Sequence, residues 1–464
     1  MITIQFFGGA LEVTGALYLV KTDKAQFLID CGLFQVGAFA DKRNYQPFSF
    51  DVSKIDFVCI THAHIDHSGR LPKLDKAGFS GKIHTTKGTA DLMRLMLEDS
   101  HGLLEEEAKH LKKDPLYDHK DVEHTFEHLE THEYGESFEP VRGIEVKFQN
   151  SGHILGSSII EIWIDTKIHS PKSKKDKEKI KIVFTGDLGN WPNPLLQKPA
   201  VINEADYLVI ESAYGDRLHE ATQKRKDVLE DVIEEVVRRR GVVMIPSFAV
   251  ERTQVLLSEL NELVENGRIP KVPVFLDSPL AIKATAIYKQ NRQYFNEGMN
   301  KLLDVGEEIF RFPGLKMTAT TEESKAINDV IGPKIIIAGS GNSMGGRIMH
   351  HERRYLSDPN SAIIIVGYQV ASSLGRKLLE GADVVKIFGE KIPVRARVVH
   401  IEGYSGHADR EALFKFVEPV RHVVKKVFVV QGEEHAALNF AQFLKDNLAV
   451  EAEAPSFGGS FALE

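Results

Sequence analysis

Short apolar runs rich in β-branched residues recur along this chain, and segments with helical spacing separate them. This alternation is typical of an α/β fold with substantial sheets. We predict helices at about 87–113, 220–240 and 252–265, the second of which stops at Gly241. At 464 residues the chain exceeds what one hydrophobic core usually serves, so we expect two domains. The predicted strands are 57–60, 182–185, 207–210, 242–245, 274–276, 335–338, 363–366 and 427–430.

Several sequence features bear on the cellular location of the protein. The longest apolar stretches, such as 362–367, are far shorter than the ~20 residues of a membrane span, and the segment MITIQFFGG lacks the features of a signal peptide. We therefore expect a cytoplasmic protein without a membrane partner. Cys31 and Cys59 each end an apolar run without a C-x-x-C partner, so we expect buried, unpaired thiols. The charged run 169–180 predicts a solvated hairpin loop, with an RNA-contacting arm as the alternative.

The motif THAHIDHSG carries the strongest chemical signal, because it places His62, His64, Asp66 and His67 directly after the apolar run FVCI. A tight loop after a strand can turn alternate side chains to one side. His62 and His64 are therefore expected to converge, while Asp66 and His67 begin a second cluster. This spacing suits two metal ions, and histidine and carboxylate ligands suit zinc.

Further ligand candidates follow other predicted strands. His153 lies in NSGHILGSS and Asp187 in VFTGDLG, and a carboxylate at Asp187 can bridge two ions. Asp30 closes the run QFLID and would accept a hydrogen bond that orients a ligand imidazole. A single histidine is more often structural, but the whole set predicts a metal site.

These residues resemble the motif series of the metallo-β-lactamase fold, an αββα sandwich of two sheets flanked by helices. Six further segments narrow the resemblance, namely IESAYGDRLH (210–219), PSFAVERTQ (246–254), LDSPLA (276–281), SGNSMGGRIMHH (340–351), VGYQVASSLGRKLL (366–379) and GYSGHAD (403–409). With them, nearly the whole chain is similar to the β-CASP ribonucleases, which include the nuclease subunit of the pre-mRNA 3'-end cleavage complex and the J-type ribonucleases. The resemblance implies an α/β fold with a β-CASP domain at 211–393 inserted between two parts of a metallo-β-lactamase domain, at 1–210 and 394–464.

The resemblance also implies a function, namely hydrolysis of RNA phosphodiester bonds with two zinc ions. His62, His64 and His153 would hold the first ion, Asp66 and His67 the second, and Asp187 both. Asp66 would also serve catalysis. His407 would be the general acid, held by a hydrogen bond to Glu211, and RNA would lie in a cleft between the domains.

Residues that could touch the RNA backbone cluster at predicted strand ends. The glycine-rich segment SGNSMGG follows the run KIIIA and is expected to lead into a helix, where backbone N–H groups can cradle a phosphate. Most glycine-rich turns only turn the chain, which leaves that alternative open. The candidates are Ser247, Arg252, Ser340, Gly341, Ser343 and Arg347.

One position departs from the family pattern. The chain reads VVQGEEHAA where the family expects a histidine ligand to the second zinc, so Gln431 occupies that place. An amide is a poor zinc ligand, and the second ion should bind more weakly. Either a native enzyme tolerates the change or the substitution was made to trap substrate. His435, on the following predicted helix, is a candidate substitute.

Three other histidines imitate a metal site. His124, His128 and His132 follow each other at four-residue spacing. We interpret them as a solvated helix face, because we expect no carboxylate or cysteine to complete the set in a buried setting.

Alternatives to an endonuclease of single-stranded RNA stay open. The chain could be an impaired RNA-binding scaffold of the same family or a 5'-3' exoribonuclease, and a small-molecule metallo-hydrolase or a DNA repair relative are further possibilities. A chain without the extra C-terminal domain of the J-type enzymes favours the endonuclease. A homodimer is expected from the resemblance.

Overall fold

The computed structural model describes residues 1–35, 41–166, 179–219, 222–370 and 373–464. Most of the charged run at 169–180 lies outside them, and the described part contains no helix long and apolar enough to cross a membrane. The chain forms two compact units. The first unit comprises Met1–Trp191, Lys198–Leu218 and His407–Glu464, and the second comprises Pro192–Gln197 and His219–Gly406. The three-part division predicted at residues 210 and 393 stays a prediction.

Helices and strands are numbered along the chain. The first unit begins with β1 (Ile2–Phe6), β2 (Tyr18–Lys21), β3 (Gln26–Ile29), α1 (Lys42–Tyr45), β4 (Phe57–Cys59), α2 (Ile65–Ser68), α3 (Leu71–Lys76), β5 (Lys82–Thr86), α4 (Lys87–Leu111), α5 (His119–Glu127), β6 (Leu129–His132), β7 (Ser137–Val141), β8 (Ile144–Asn150), β9 (Ser158–Asp165), β10 (Lys179–Phe184) and β11 (Tyr207–Glu211). The second unit contains α6 (Thr222–Arg238), β12 (Val242–Pro246), α7 (Arg252–Glu265), β13 (Val274–Leu276), α8 (Pro279–Gln290), α9 (Glu297–Asp304), β14 (Leu315–Met317), α10 (Thr321–Ala326), β15 (Lys334–Ala338), α11 (Ile348–Tyr355), β16 (Ala362–Ile365), α12 (Leu374–Leu379), β17 (Val384–Ile387), β18 (Glu390–Pro393) and β19 (Arg397–His400). The first unit then resumes with α13 (Arg410–Val417), β20 (Lys426–Val430), α14 (Glu434–Leu448), β21 (Ala452–Glu453) and β22 (Ser460–Leu463).

In the first unit, two sheets face each other. Their orders are β22-β1-β2-β3-β4-β5-β6 and β21-β20-β11-β10-β9-β8-β7. The core lies between them, where Phe6 meets Phe428 with ring centroids 5.3 Å apart and Tyr18 stacks on Phe184 at 6.1 Å. Helices α13 and α14 cover the outer face of the second sheet, and α4 packs against β5 and β6. The predicted αββα arrangement is confirmed in this unit.

The second unit is built on a parallel sheet of order β14-β13-β15-β12-β16-β19. Strands β12 and β15 are buried along their whole length, as expected for parallel strands covered on both faces. A buried ion pair between Arg225 and Glu259, 2.6 Å apart, joins α6 to α7.

The predicted elements are confirmed, with differences of a few residues at their ends. The three predicted helices correspond to α4, α6 and α7, and residues 220–221 of the second lie outside the described residues. Helix α4 begins where the Thr86 side chain accepts a hydrogen bond from the Thr89 backbone, and it ends at Lys112 in the left-handed region. Cys31 and Cys59 are buried free thiols, as predicted.

Candidate metal centre

The first unit gathers the predicted ligands at one edge of its two sheets. Strand β4 ends at Cys59, and the loop after it carries His62 and leads into α2, of which His64 is the N-cap. His153 lies in the loop between β8 and β9, and Asp187 follows β10. A left-handed Gly186 (φ +53°) brings Asp187 close, because a Cβ there would lie 2.7 Å from the Thr61 Cβ.

Four ligand atoms form a compact cluster, the first metal cluster. His62 Nε2 and His153 Nε2 lie 3.1 Å and 3.2 Å from His64 Nδ1. Both also lie 3.4 Å from Asp187 Oδ2. A tetrahedral zinc ion with bonds of about 2.1 Å separates its ligand atoms by about 3.4 Å. The four atoms therefore fit a tetrahedral ion.

The protonation of these imidazoles agrees with that fit. Burial lowers the pKa of His62, and it lowers the pKa values of His64 and His153 far below the usual value. Neutral imidazoles present lone pairs, which is the form that binds metals. Burial opposes ionisation of Asp187, but the neighbouring His67, His62 and His407 hold its pKa well below the usual range.

A second group of ligand atoms belongs to Asp66, His67 and Asp187, and we call it the second metal cluster. His67 Nε2 lies 3.3 Å from Asp187 Oδ1 and 3.9 Å from Asp66 Oδ2. The second ring nitrogen, Nδ1, donates a 2.8 Å hydrogen bond to Asp30 Oδ2. Although burial acts in the opposite sense, the carboxylates of Asp187, Asp30 and Asp66 raise the pKa of His67 well above its usual value. This corner of the centre thus favours positive charge.

Asp30, predicted to orient a ligand imidazole, lies within hydrogen-bond distance of His67. Its carboxylate accepts hydrogen bonds of 2.8 Å from the Thr61 backbone and the Thr61 hydroxyl, besides the one from His67. These bonds fix the His67 ring with Nε2 facing Asp187. Asp30 adopts a left-handed backbone (φ +59°), which is uncommon outside glycine and asparagine.

Gln431 enters the second metal cluster from the end of β20. Its Nε2 donates a 2.9 Å hydrogen bond to Asp187 Oδ1 and lies 2.9 Å from His67 Nε2. Those are the two atoms that a second ion would need. His435 lies outside this cluster. Its side chain is 79% exposed and contacts Asn439, one turn further along α14, and Asp216. The amide of Gln431, and not His435, therefore completes this cluster.

Glu211 and His407 form a pair beside the first metal cluster. His407 Nδ1 lies 3.2 Å from Glu211 Oε2 and 3.7 Å from Asp187 Oδ2. Burial raises the pKa of Glu211, and the Leu188 backbone N–H donates a 2.6 Å hydrogen bond to Oε1. The pairing of Ala408 N with Leu188 O at 2.8 Å keeps His407 next to the loop that carries Asp187. Asp187, Glu211 and His407 together form a further set of side chains that could hold a metal ion.

The RNA-contact candidates lie in the second unit, on loops that follow β12 and β15. These strands are neighbours, and a Cβ on Gly341 would lie 2.5 Å from the Phe248 ring, so the two loops touch. The glycine-rich loop leads into α11, as predicted. Ser340 Oγ accepts a 3.1 Å hydrogen bond from the Met344 backbone.

The side chains of four of these candidates already contact other residues of the protein. Ser343 is buried and its hydroxyl donates to Glu352, while Arg347 donates 2.8 Å bonds to Asp277 Oδ1 and the Thr318 carbonyl. The Ser247 hydroxyl lies 3.0 Å from that of Thr253, and the guanidinium of Arg252 contacts Glu251. Contact of these residues with RNA stays a prediction.

The interpretation of the three spaced histidines needs correction. His124 lies on α5, but His128 caps that helix and His132 belongs to β6. A buried carboxylate does complete the set, since Asp75 Oδ2 lies 2.7 Å from His124 Nδ1. Only His124 is largely exposed, at 55% of its side chain, against 19% for His128.

Sequence reasoning missed residues that hold the ligands in place. Thr61 supports Asp30, and the Ser157 hydroxyl accepts 3.1 Å hydrogen bonds from the backbone of His153 and Ile154. Thr61 stands directly before the histidine motif, and Ser157 four residues after His153. Small hydroxyl residues next to ligand histidines were the available signal.

Three family models match the chain in order along its length. They are the metallo-beta-lactamase superfamily over residues 12–154, the Beta-Casp domain over residues 253–378, and the Zn-dependent metallo-hydrolase RNA specificity domain over residues 391–455.

Curated relatives align over almost the whole chain. Ribonuclease TTHA0252 of Thermus thermophilus is 36% identical over 94% of this chain and 95% of its own length. The transcription termination factor FttA of Thermococcus kodakarensis is 34% identical, covering 98% of this chain and 70% of the relative. An RNase J-like protein of Methanocaldococcus jannaschii is 31% identical over 99% of both chains. The fold also resembles a crystal structure of a protein of unknown function from Enterococcus faecalis, with a TM-score of 0.54, 14% identity and full coverage of both chains.

Proposed function

The chain belongs to the β-CASP family of metallo-β-lactamase-fold ribonucleases and is a metal-dependent hydrolase, and from this we propose that it cuts single-stranded RNA internally with zinc. The observation that carries the proposal is the first metal cluster, in which ligand atoms of three buried residues and the half-buried His64 lie 3.1 to 3.4 Å apart along the edges described above. The zinc-dependent RNA specificity model over residues 391–455 supports both the metal and the substrate class.

We propose that His62, His64, His153 and Asp187 hold the first zinc ion, with Asp66, His67 and Asp187 around a second. When bound, these ions supply a water of lowered pKa and offset the negative charge of the scissile phosphate. Gln431 competes at the second position, because its amide already hydrogen-bonds His67 Nε2 and Asp187 Oδ1. The second ion should consequently bind more weakly than the first.

The protein's own groups support a proton transfer to the leaving oxygen. Glu211 accepts a hydrogen bond from Nδ1 of His407, and this bond orients the imidazole ring. The other ring nitrogen, Nε2, would then be the one that delivers a proton to the leaving oxygen. Buried in the first unit, the Glu211 carboxylate also stabilises the imidazolium form of His407. This pair is the proposed general acid and its positioning residue.

Substrate contacts are proposed for the glycine-rich loop and its neighbour in the second unit. Ser340 and Gly341 lie after β15, at the carboxyl end of a parallel sheet, where ligands of open α/β sheets bind. Internal cleavage, a homodimer and a cytoplasmic location belong to the same proposal, and size-exclusion chromatography with light scattering would test the dimer.

The experiment that tests the function combines metal analysis with RNA cleavage. Zinc per chain would be measured by plasma mass spectrometry, and a 5'-labelled single-stranded RNA would report the cut positions. The expected result is bound zinc and internal fragments, both lost in His62→Ala. A 5'-3' exonuclease would instead release the labelled terminal nucleotide first.

An impaired RNA-binding scaffold is the second candidate, and the hydrogen bonds of Gln431 across the second metal cluster favour it. In that case the chain would hold one zinc ion and bind RNA without cutting it. Restored cleavage in Gln431→His would identify a disabled enzyme, and continued inactivity would leave the scaffold.

A further inference from the structure

A second constellation of ligand-type residues lies on helices α3 and α5 of the first unit. Asp75 belongs to α3, His124 to α5, and His128 is the residue at which α5 ends. The i, i+4 spacing of the two histidines places both imidazoles on one face of the helix end, next to Asp75. We call these residues the α3–α5 triad. It shares no residue with the metal centre described above.

The distances within the α3–α5 triad suit a bound cation. His128 Nε2 lies 3.4 Å from Asp75 Oδ1, the edge length of a tetrahedral site with bonds of about 2.1 Å. One ligand atom from each residue falls within 4.8 Å of the others. His124 Nδ1 is hydrogen-bonded to Asp75 Oδ2 at 2.7 Å, closer than two ligands of one ion, so a bound ion would replace this hydrogen bond. The two imidazole rings stand perpendicular, with centroids 5.0 Å apart.

Two atoms of the triad are buried and unsatisfied. Asp75 Oδ1 and His128 Nε2 are shielded from solvent, yet neither has a hydrogen-bond partner in the described part of the chain. The Asp75 side chain is only 4% exposed. Leaving a buried polar atom unpaired costs about 1–3 kcal/mol, so two such atoms facing each other need an explanation.

We propose that the α3–α5 triad is a binding site for a divalent transition-metal ion of the zinc class. Two imidazoles and one carboxylate form a ligand set that zinc accepts with three protein ligands and an open fourth position. An ion there would satisfy both Asp75 Oδ1 and His128 Nε2.

The surroundings leave the fourth position open to solvent or to a further carboxylate. An open groove at the triad contains four carboxylates and one lysine, and it is lined by Asp75, His119, Lys120, Asp121, Glu123, His124 and Glu127. Glu127 Oε2 lies 3.8 Å from His124 Nε2. The groove therefore adds negative charge around the triad, which attracts a cation.

Such an ion would act as a cross-link between α3 and α5. It would bind the folded first unit and not the unfolded chain, so the midpoint of thermal unfolding would rise as the free ion concentration is increased. Helix α5 already packs on α3 and α4, and the His128 carbonyl accepts a 3.0 Å hydrogen bond from the Ile83 backbone, so the ion would add a link between side chains to existing contacts.

The test counts zinc ions by equilibrium dialysis of the whole protein at micromolar free zinc. His124→Gln and His128→Asn should each lose one ion per chain relative to wild type, and both should lose part of the zinc-dependent rise in melting temperature. His110→Gln, which changes an exposed histidine on α4 outside the groove, is the matched control and should bind as many ions as wild type.

The result that overturns the proposal is an equal zinc count, or an equal zinc-dependent shift in melting temperature, in His124→Gln, His128→Asn and the control. The largely exposed His124 makes His124→Gln safe for folding, which circular dichroism would verify. RNA cleavage should be unchanged in all three variants, so the outcome does not depend on the proposed function.

Discussion

Gln431 reaches the second metal cluster from a backbone in the left-handed region, with φ +51°. Histidine is among the residues that tolerate this region, so the position could carry an imidazole without rebuilding the turn. The amide donates to Asp187 Oδ1 and lies against His67 Nε2, the two atoms that the proposed second ion would use. On this proposal, one side chain sets how strongly the second ion binds.

Gln431→His should therefore increase zinc affinity at the second cluster by at least about 10-fold, which corresponds to about 1.4 kcal/mol. The reason is that an imidazole ligand replaces competing N–H donors. Isothermal titration with zinc would measure the second binding step, and the exposed His435→Gln serves as control. An unchanged second affinity would show that Gln431 does not limit the site.

His407→Ala should reduce RNA cleavage by about 10²–10⁴-fold while leaving the zinc content unchanged. The imidazole lies 3.7 Å from Asp187 but belongs to the proposed proton donor and not to the first metal cluster. Single-turnover cleavage and metal analysis on the same sample separate the two roles. Loss of zinc in this variant would instead make His407 a ligand.

The sequence predicted which residues would form the metal centre, but not every residue that lies close to a histidine in the folded chain. His62, His64, His153 and Asp187 could be foreseen because each follows an apolar run that ends at the same sheet edge. Asp75 could not, since it approaches His124 only through the packing of α3 on α5, 49 positions apart. His132 was assigned to a helix because its four-residue spacing continues past the point where β6 begins.

Helix α11 buries an ionisable side chain against the glycine-rich loop. Glu352 is fully buried, accepts a hydrogen bond from the Ser343 hydroxyl, and burial raises the pKa of its carboxyl to about 8. In the unfolded chain the same carboxyl ionises near 4.5. Between these values the folded protein keeps a proton that the unfolded chain releases, so stability falls as the pH rises.

Glu352→Gln should remove this pH dependence, because a neutral amide keeps the oxygen that accepts from Ser343 and cannot ionise. Relative to wild type, the variant should gain stability from pH 5 to pH 8, by up to a few kcal/mol. Urea unfolding midpoints at both pH values would measure it, with the exposed Glu322→Gln as control. Parallel pH profiles for wild type and Glu352→Gln would contradict the buried, protonated carboxyl.

Among the elements, those with continuous apolar runs were predictable and polar edge strands were not. Strand β12 is buried throughout, and its continuous apolar sequence VVMIP is typical of such a strand. Strand β6, with the sequence LETH, exposes half of its residues, and β5 is its one strand partner in the described sheet. Pairing with a neighbour, and not local composition, makes it a strand.

The first unit as a whole should depend on its metals. Because ions bind the folded ligand cluster and not the unfolded chain, removing them with a chelator should abolish RNA cleavage and lower the melting temperature. Calorimetry before and after chelation, and again after zinc is restored, would measure the change. A chelated protein that melts at the same temperature would exclude a structural contribution of the centre.

The first unit is interrupted by the second, and this order has a consequence for synthesis. The ligands His62, His64, His153 and Asp187 all leave the ribosome before the second unit, whereas His407 and Gln431 follow it. Strand β20, which ends directly before Gln431, also pairs with β11. A nascent chain that folds from its N-terminus can hence gather metal ligands early but cannot acquire its proposed proton donor until the whole second unit has been translated. The proposed catalytic pair of Glu211 and His407 is therefore completed only near the end of synthesis.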